Sequence, residues 1–149
     1  MRTLPFSAKA EYACVAMLEL AAHYGDPQPV RLRAIADAHH IPQRFLVQIL
    51  LQLKGSGLVI SARGAAGGYL LARSPKTITL ADVLNVIDRP DRPAPDRRAN
   101  SGGPPSPMSD ALRAIWKEIQ AAQRRILEGT SLADLAQKAR EGQSLMYQI

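Results

Sequence analysis

The chain has 149 residues, of which 46% are hydrophobic and 21% are charged, and its formal net charge is +6. This length is typical of one core of ordinary size, and no apolar run reaches the ~18 residues that a membrane span needs. The N-terminus lacks a signal-peptide pattern, and Cys14 is the single cysteine, which excludes an intramolecular disulfide. We therefore expect a soluble, cytoplasmic protein with no membrane partner.

The excess positive charge is concentrated in residues 31–76. This segment contains seven basic residues and one acidic residue, Asp37, whereas the rest of the chain carries twelve of each sign. The basic residues are Arg31, Arg33, Arg44, Lys54, Arg63, Arg73 and Lys76. A basic surface confined to one segment is typical of proteins that neutralise the phosphates of a nucleic acid. A merely solvated basic surface is the alternative.

Two helices are predicted at the start of the chain. Ser7 is a suitable N-cap for a helix over residues 8–24, which Gly25 ends. Apolar residues cover most of its circumference, so we expect it to be buried; the main stripe consists of Ala10, Ala13, Cys14, Met17, Ala21 and Tyr24. A second helix is predicted over residues 32–39, followed by a short turn.

A third helix begins at Pro42, which suits the first helical position. At ~100° per residue its side chains separate into two faces. The predicted core face consists of Leu46, Ile49, Leu50 and Leu53, flanked by Phe45, and the opposite face of Arg44, Val47, Gln48 and Leu51. Two short strands, 58–62 and 69–72, follow, and the loop between them contains Arg63 and three glycines. A helix that leads directly into a basic hairpin is the layout of a winged helix-turn-helix.

The second half of the chain is predicted to be helical, with one interruption. Thr79 and Asp82 form a plausible capping box for a helix over residues 80–88. Residues 89–107 contain six of the eleven prolines and predict a flexible connection. A long helix from Pro107 to about residue 128 follows, and a short one runs from about 131 to 140. We therefore divide the chain into a winged-helix domain (1–88), a connection (89–107) and a dimerisation segment (108–149).

The long helix carries apolar residues at heptad spacing. The six positions, separated by 4, 3, 4, 3 and 4 residues, are Met108, Leu112, Ile115, Ile119, Ala122 and Ile126. Such a seam needs a partner, either the body of the same subunit or the same helix of a second one. We predict a homodimer, because groove-reading proteins commonly pair to match two half-sites. The fold class is thus mainly α with a small β-hairpin wing, a winged helix-turn-helix plus a long dimerisation helix.

Several residues whose side chains could react or bind a ligand have simpler structural explanations. Cys14 lies on the apolar stripe and is expected to be a buried thiol rather than a redox switch. His39 and His40 are expected to face solvent rather than bind phosphate or metal. Trp116 is expected to pack in the dimer interface or within the domain, with the wall of an effector pocket as the alternative. No nucleophile with an identifiable base and no metal-ligand spacing is present, so we predict no catalytic residue and no enzyme.

Residues 57–59 read GLV and residues 63–73 read RGAAGGYLLAR, and in these motifs the chain resembles the Rrf2 family of bacterial winged-helix regulators. The resemblance covers roughly residues 4–88 well. It implies a homodimer bound to double-stranded DNA at a pseudo-palindromic site, with the third helix in the major groove and the wing arginine in the minor groove. The DNA-binding positions that it implies are Lys9, Gln43, Arg44, Val47, Gln48, Arg63, Gly64 and Tyr69.

Two departures from the family pattern are informative. Some relatives have a glutamate at the position of Val47, and a valine there can meet a thymine methyl but cannot accept a hydrogen bond from cytosine. Cluster-bearing members ligate iron through three cysteines in the connection, yet residues 89–107 contain neither Cys nor His. Glu11 stands where some relatives place a carboxylate ligand, which alone makes a weak site. We therefore predict no iron-sulfur cluster, no metal site and no cofactor.

These observations predict a sequence-specific transcriptional regulator, with repression favoured over activation and a protein or small molecule as a possible effector. The alternative is a winged-helix module that docks a metabolic enzyme or another protein. Measuring how binding depends on salt separates the two, because neutralising phosphates makes binding strongly salt-dependent.

Overall fold

The computed structural model describes residues 6–64, 67–88 and 105–147, with side chains described as far as residue 143. Its elements are the helices α1 (Ala8–Ala22), α2 (Leu32–His39) and α3 (Gln43–Gly55), the strands β1 (Val59–Ala62) and β2 (Gly68–Leu71), a 3₁₀ turn (Pro75–Thr77), and the helices α4 (Leu80–Ile87), α5 (Pro107–Gly129) and α6 (Leu132–Tyr147). The predicted fold class, mainly α with a two-stranded hairpin, is confirmed. Residues 65–66 of the wing loop and most of the predicted connection lie outside the described residues.

One hydrophobic core joins the first four helices, the hairpin and the start of α6. Leu132, the first residue of α6, is fully buried in it. The backbone also connects this point to the start of α4, since the N–H of Leu132 donates to the carbonyl of Ile78 at 2.9 Å and the N–H of Leu80 donates to that of Thr130 at 3.0 Å. The C-terminal helix is therefore anchored on the N-terminal part of the molecule.

Helix α1 begins where the sequence predicted and ends earlier. The Ser7 hydroxyl accepts a hydrogen bond from the N–H of Ala10, as expected of an N-cap. The helix stops at Ala22, and Tyr24, which was predicted on its buried stripe, is 51% exposed. Cys14 is buried, and desolvation, followed by the charges of Asp88 and Glu11, raises its pKa to about 11. This agrees with the expectation of a structural thiol, because the reactive thiolate form is disfavoured.

A tight turn joins α2 to α3. His40 caps α2 in the left-handed conformation, with φ 53° and ψ 41°. The N–H of the next residue, Ile41, donates to the carbonyl of Ala36 at 3.0 Å, and the Ile41 side chain is buried. Pro42 is the N-cap of α3 and not its first helical residue, a difference of one position from the sequence prediction. The turn thus fixes the direction in which α3 leaves α2.

Contrary to the prediction of a solvent-facing side chain, His39 is half-buried, because it connects α2 to α1. Its Nε2 atom lies 2.9 Å from a carboxylate oxygen of Glu19, and the Nε2 atom of His23 lies 3.3 Å from the other oxygen. Partial burial of Glu19 acts to raise its pKa, but the hydrogen bonds and charges of His39 and His23 outweigh this effect and lower it. The carboxylate therefore stays charged and holds α2 against α1.

Helix α5 begins at a capping box, in which the Ser106 hydroxyl accepts from the N–H of Ser109 and the Ser109 hydroxyl accepts from the N–H of Ser106. It runs for 23 residues and buries none of them. Helix α6 continues to Tyr147, beyond the predicted end near residue 140. Within the described residues, no helix is long and apolar enough to cross a membrane.

We predict that His40→Gly stabilises the protein by about 0.5–1 kcal/mol. A left-handed residue with a Cβ costs roughly 1–2 kcal/mol, which the entropy lost by glycine offsets only in part. Unfolding in urea would measure the change. His40→Ala is the control, because it removes the imidazole but keeps the Cβ. Equal gains from both variants would show that the imidazole, and not the backbone conformation, is unfavourable.

Candidate nucleic-acid interface

Helix α3 has one buried face and one exposed face, as the sequence predicted. Leu46, Ile49, Leu50 and Leu53 are all fully buried. The other face consists of side chains that are exposed, namely Gln43, Arg44, Val47, Gln48 and Leu51. Because four buried side chains fix the rotation of the helix, the exposed ones occupy defined positions on one surface.

Phe45 does not complete the core, contrary to the prediction, because it is 42% exposed. Its ring lies beneath the guanidinium of Arg44, with the Cζ atom 5.3 Å from the ring centroid. A cation above an aromatic face at this distance is attracted to it. Phe45 therefore orients Arg44 on the exposed face of α3, and this role depends on a contact that periodicity does not reveal.

The end of α3 leads directly into the hairpin. Gly57 has φ +81°, and the N–H of Leu58 donates to the carbonyl of Leu53 at 3.0 Å. This is a Schellman cap, in which a glycine takes the left-handed position after the helix. Leu58 is buried and Val59 begins β1, so the same cap that ends α3 also sets the start of the wing.

Strands β1 and β2 pair antiparallel, with Val59 opposite Leu71 and Ala62 opposite Gly68. A third segment, which the sequence analysis did not identify, joins β2: Val30 and Tyr69 exchange backbone hydrogen bonds of 2.9 and 2.8 Å. The loop before α2 thus holds the wing from its other side. Gly68 is the residue in the sequence that could have indicated this close approach, since a Cβ there would lie 2.4 Å from the carbonyl oxygen of Val30.

The wing loop presents Arg63 and Gly64 to solvent. Gly64 has φ +103°, which glycine adopts readily, and its carbonyl accepts from the N–H of Gly67 at 2.9 Å. This hydrogen bond holds residues 64 and 67 of the wing loop close together. An exposed guanidinium at this point can reach a surface that approaches the hairpin.

The predicted DNA-binding residues fall into three groups. Gln43, Arg44, Val47 and Gln48 share the exposed part of α3, while Arg63 and Gly64 lie in the wing loop. Tyr69 and Lys9 differ from them because both are half-buried: Tyr69 packs against the core from β2, and Lys9 lies in the first turn of α1. The structure thus presents six of the eight predicted residues as exposed side chains or loop backbone.

The positive charge of residues 31–76 is not all directed to one surface. A guanidinium nitrogen of Arg73 lies 3.4 Å from a carboxylate oxygen of Asp82 at the start of α4. Lys76, on the 3₁₀ turn, lines a surface cavity together with residues of α6. Arg73 therefore lies against α4 and Lys76 beside α6. The other five cations of the segment are exposed, namely Arg44, Lys54 and Arg63 on α3 and the wing, and Arg31 and Arg33 at the start of α2.

A cavity of about 670 Å³ is lined by residues of α4 and α5. Its wall combines apolar, amide and charged side chains, among them Leu84, Asp88, Gln123 and Arg124. Trp116 is 56% exposed and lies outside this lining. Within the described residues, Trp116 is therefore not part of the hydrophobic core, and a role in dimer packing stays a prediction.

The helix pair α2–α3 followed by a hairpin defines a winged helix-turn-helix, and comparisons with known proteins agree. The family model Rrf2, described as an iron-dependent transcriptional regulator, matches residues 6–138. An HTH-type transcriptional regulator of Mycobacterium tuberculosis is 44% identical over 131 residues, which are 87% of this chain and 80% of that protein. CymR of Bacillus subtilis is 33% identical over 133 residues, 89% and 90% of the two chains.

Solved structures resemble the whole fold. The structure of CymR, the global cysteine regulator of B. subtilis, has a TM-score of 0.76 at 33% identity and covers 91% of this chain and 98% of its own. IscR of T. potens has a TM-score of 0.75 at 31% identity, covering 95% and 92%. The chain belongs to the Rrf2 family. Because that family consists of DNA-binding transcriptional regulators, this membership confirms the prediction that the protein is not an enzyme.

The residues of this chain do not fit an iron-sulfur cluster, although the family is described as iron-dependent. Such clusters are held by thiolates, and the sequence has one cysteine, which is buried in the core with a raised pKa. Among the described residues, no group of three or more His, Cys, Asp or Glu side chains is placed to hold a metal ion. The single cysteine therefore marks a departure from the cluster-binding pattern.

Gly68→Ala is expected to destabilise the protein by about 1–3 kcal/mol, since the added Cβ would overlap the backbone of Val30 and force the wing away. The free energy of unfolding in urea measures the effect. Gly129→Ala provides the control, because a Cβ there meets nothing within 4 Å. If both substitutions have the same effect, the contact between Val30 and the wing is not what requires glycine.

Proposed function

We propose that this protein binds a pseudo-palindromic operator as a homodimer in the cytoplasm and represses transcription from the promoter that contains it. The proposal extends the family's role as DNA-binding regulators to a defined mode of action. The observation that carries it is the exposed face of α3, with Arg44 and Gln48 next to each other and the wing arginine, Arg63, on the adjoining hairpin.

The chemistry of these side chains suits the two grooves of DNA. An α-helix fits the major groove, where arginine pairs with guanine and glutamine with adenine through two hydrogen bonds each. Arg44 and Gln48 lie one helical turn apart on the same side of α3. In the proposed complex Arg63 enters the neighbouring minor groove, whose negative potential attracts a guanidinium.

The surface of α5 supports the homodimer. Of the six heptad positions, Ala122 is half-buried and the other five are exposed in the protomer, from 48% for Ile119 to 83% for Met108. A contiguous apolar stripe of this length is costly in water and is typical of an interface. The α5 residues that line the cavity beside α4, among them Gln120, Gln123 and Leu127, lie on a different side of the helix from the stripe. Within the described residues, the stripe is therefore available to a second α5.

Repression requires the least additional machinery. A dimer that occupies a promoter excludes polymerase by its presence, whereas activation needs a further contact with the polymerase. In vitro transcription from a bound promoter would decide between them: a decrease in transcript with added protein supports repression, and an increase contradicts it.

Replacing Arg63 by alanine is predicted to weaken promoter binding by about 1–3 kcal/mol while leaving the dimer intact, because one groove contact is lost. Gel-shift titration at several salt concentrations measures the affinity. The slope of log affinity against log salt should decrease by about 1 in magnitude. Lys76→Ala is the matched control, since it removes a cation of the same segment that lies against α6.

Two outcomes would contradict the assignment. Equal affinity of the Arg63 variant and the parent would remove the wing from the interface. A parent whose binding is insensitive to salt, but which still captures a protein partner, would favour the docking module instead.

The dimer is predicted to dissociate in Ile119→Asp. Ile119 is 48% exposed in the protomer, so the charge should affect the folding of the monomer little, but it would be buried in the proposed interface. Sedimentation equilibrium would measure the change in mass. Lys117→Asp introduces the same charge on the opposite side of α5 and should leave the dimer intact. A monomeric parent would exclude the proposed assembly.

A further inference from the structure

The exposed face of α3 combines polar side chains with apolar ones that lie outside the hydrophobic core of the described residues. Val47 is 40% exposed and Leu51 is 57% exposed, and they lie one turn apart beside Arg44 and Gln48. The core of the molecule is built from the other side of the helix, so neither residue is needed there. Two branched apolar side chains at the centre of a basic surface indicate a ligand with an apolar feature of its own.

The helix also lacks any carboxylate. From Gln43 to Gly55 it contains Arg44 and Lys54 and no Asp or Glu. A carboxylate would accept a hydrogen bond from the amino group of cytosine in the major groove, and the only apolar group displayed there by the four bases is the 5-methyl of thymine. The surface is therefore complementary to thymine and has no acidic partner for cytosine.

We propose that Val47, together with Leu51 one turn further along, recognises the 5-methyl groups of thymines in each operator half-site. This inference rests on the proposed function, since it names the bases that α3 reads. At ~1.5 Å per residue the two side chains are about 6 Å apart along the helix, which corresponds to about two base-pair steps of ~3.4 Å. Val47 is the specificity-determining residue, and Leu51 extends the same surface.

Charge favours DNA over a protein as the occupant of this surface. Arg44 and Lys54 on α3 and Arg63 on the wing are exposed around the apolar pair, and within the described part of α3 and the wing no acid offsets them. A groove lined by phosphates complements such a surface and also offers methyl groups within reach. An apolar protein partner would have to desolvate these cations without neutralising them.

The experiment begins with a pool of random duplexes, from which the full-length protein selects its preferred sequence. In the selected duplex, each thymine is then replaced singly by uracil, which keeps every hydrogen-bonding group and lacks only the methyl. Fluorescence-anisotropy titrations measure the affinity of each duplex for the parent, for Val47→Ala and for Leu51→Ala.

For the parent, we expect uracil to reduce affinity about 3- to 5-fold at each of two thymines in a half-site, one assigned to Val47 and one to Leu51, which is the size expected for one buried methyl group each. In Val47→Ala the replacement at the first of these thymines should have no effect. Leu51→Ala should remove sensitivity at the second thymine, about two base pairs away. Tyr24→Ala, which truncates a 51% exposed side chain outside α3 and the wing, should retain the parent's full pattern.

A second pair of duplexes tests the methyl group in a different base. At the position assigned to Val47, 5-methylcytosine should bind the parent more tightly than cytosine, and this ratio should fall to one in Val47→Ala. Sensitivity to uracil that persists in Val47→Ala, or a parent that is insensitive to uracil at every position, would overturn the inference. If no sequence is enriched from the pool, the proposed function fails instead, so the two failures are distinguishable.

Discussion

The packing of the inner face of α3 on the core is the constraint on which the rest of the molecule depends. Leu46, Ile49, Leu50 and Leu53 are fully buried, and each such side chain contributes roughly 1.5–3 kcal/mol. Their burial fixes the rotation of α3, and the rotation decides which side chains face outward. The cap at Gly57 connects α3 to β1 through a short, hydrogen-bonded turn. The position of the wing therefore also depends on the packing of α3.

Local signals in the sequence were sufficient to predict most of the secondary structure. Ser7 and Thr79 each cap a helix as predicted, because their hydroxyls satisfy N–H groups that have no partner inside the helix. The two faces of α3 follow from periodicity alone, since a helix buried on one side repeats every ~3.6 residues. These features depend on residues that are neighbours along the chain, and for that reason they could be predicted.

The parts that were missed depend on residues that are distant along the chain. The hydrogen bond between Glu19 and His39 joins residues 20 positions apart, and no local pattern in the sequence distinguishes His39 from a solvated histidine. The backbone bridge between Val30 and Tyr69 arises only when the fold brings them together. Phe45 shows the converse case, because an aromatic residue beside a core face was expected to join it but supports Arg44 instead.

The apolar character of the α3 surface also bears on why a dimer would be needed. A contact between Val47 and a methyl group discriminates bases less strongly than an arginine that forms two hydrogen bonds to guanine, which is worth about 1–3 kcal/mol. Mismatch penalties at separate positions are roughly additive, so a second half-site doubles a modest discrimination without any new type of contact. Dimerisation through the exposed stripe of α5 would then compensate for the weak base discrimination of a single α3. Specificity would come from joining two such helices, while the surrounding cations supply affinity that is independent of sequence.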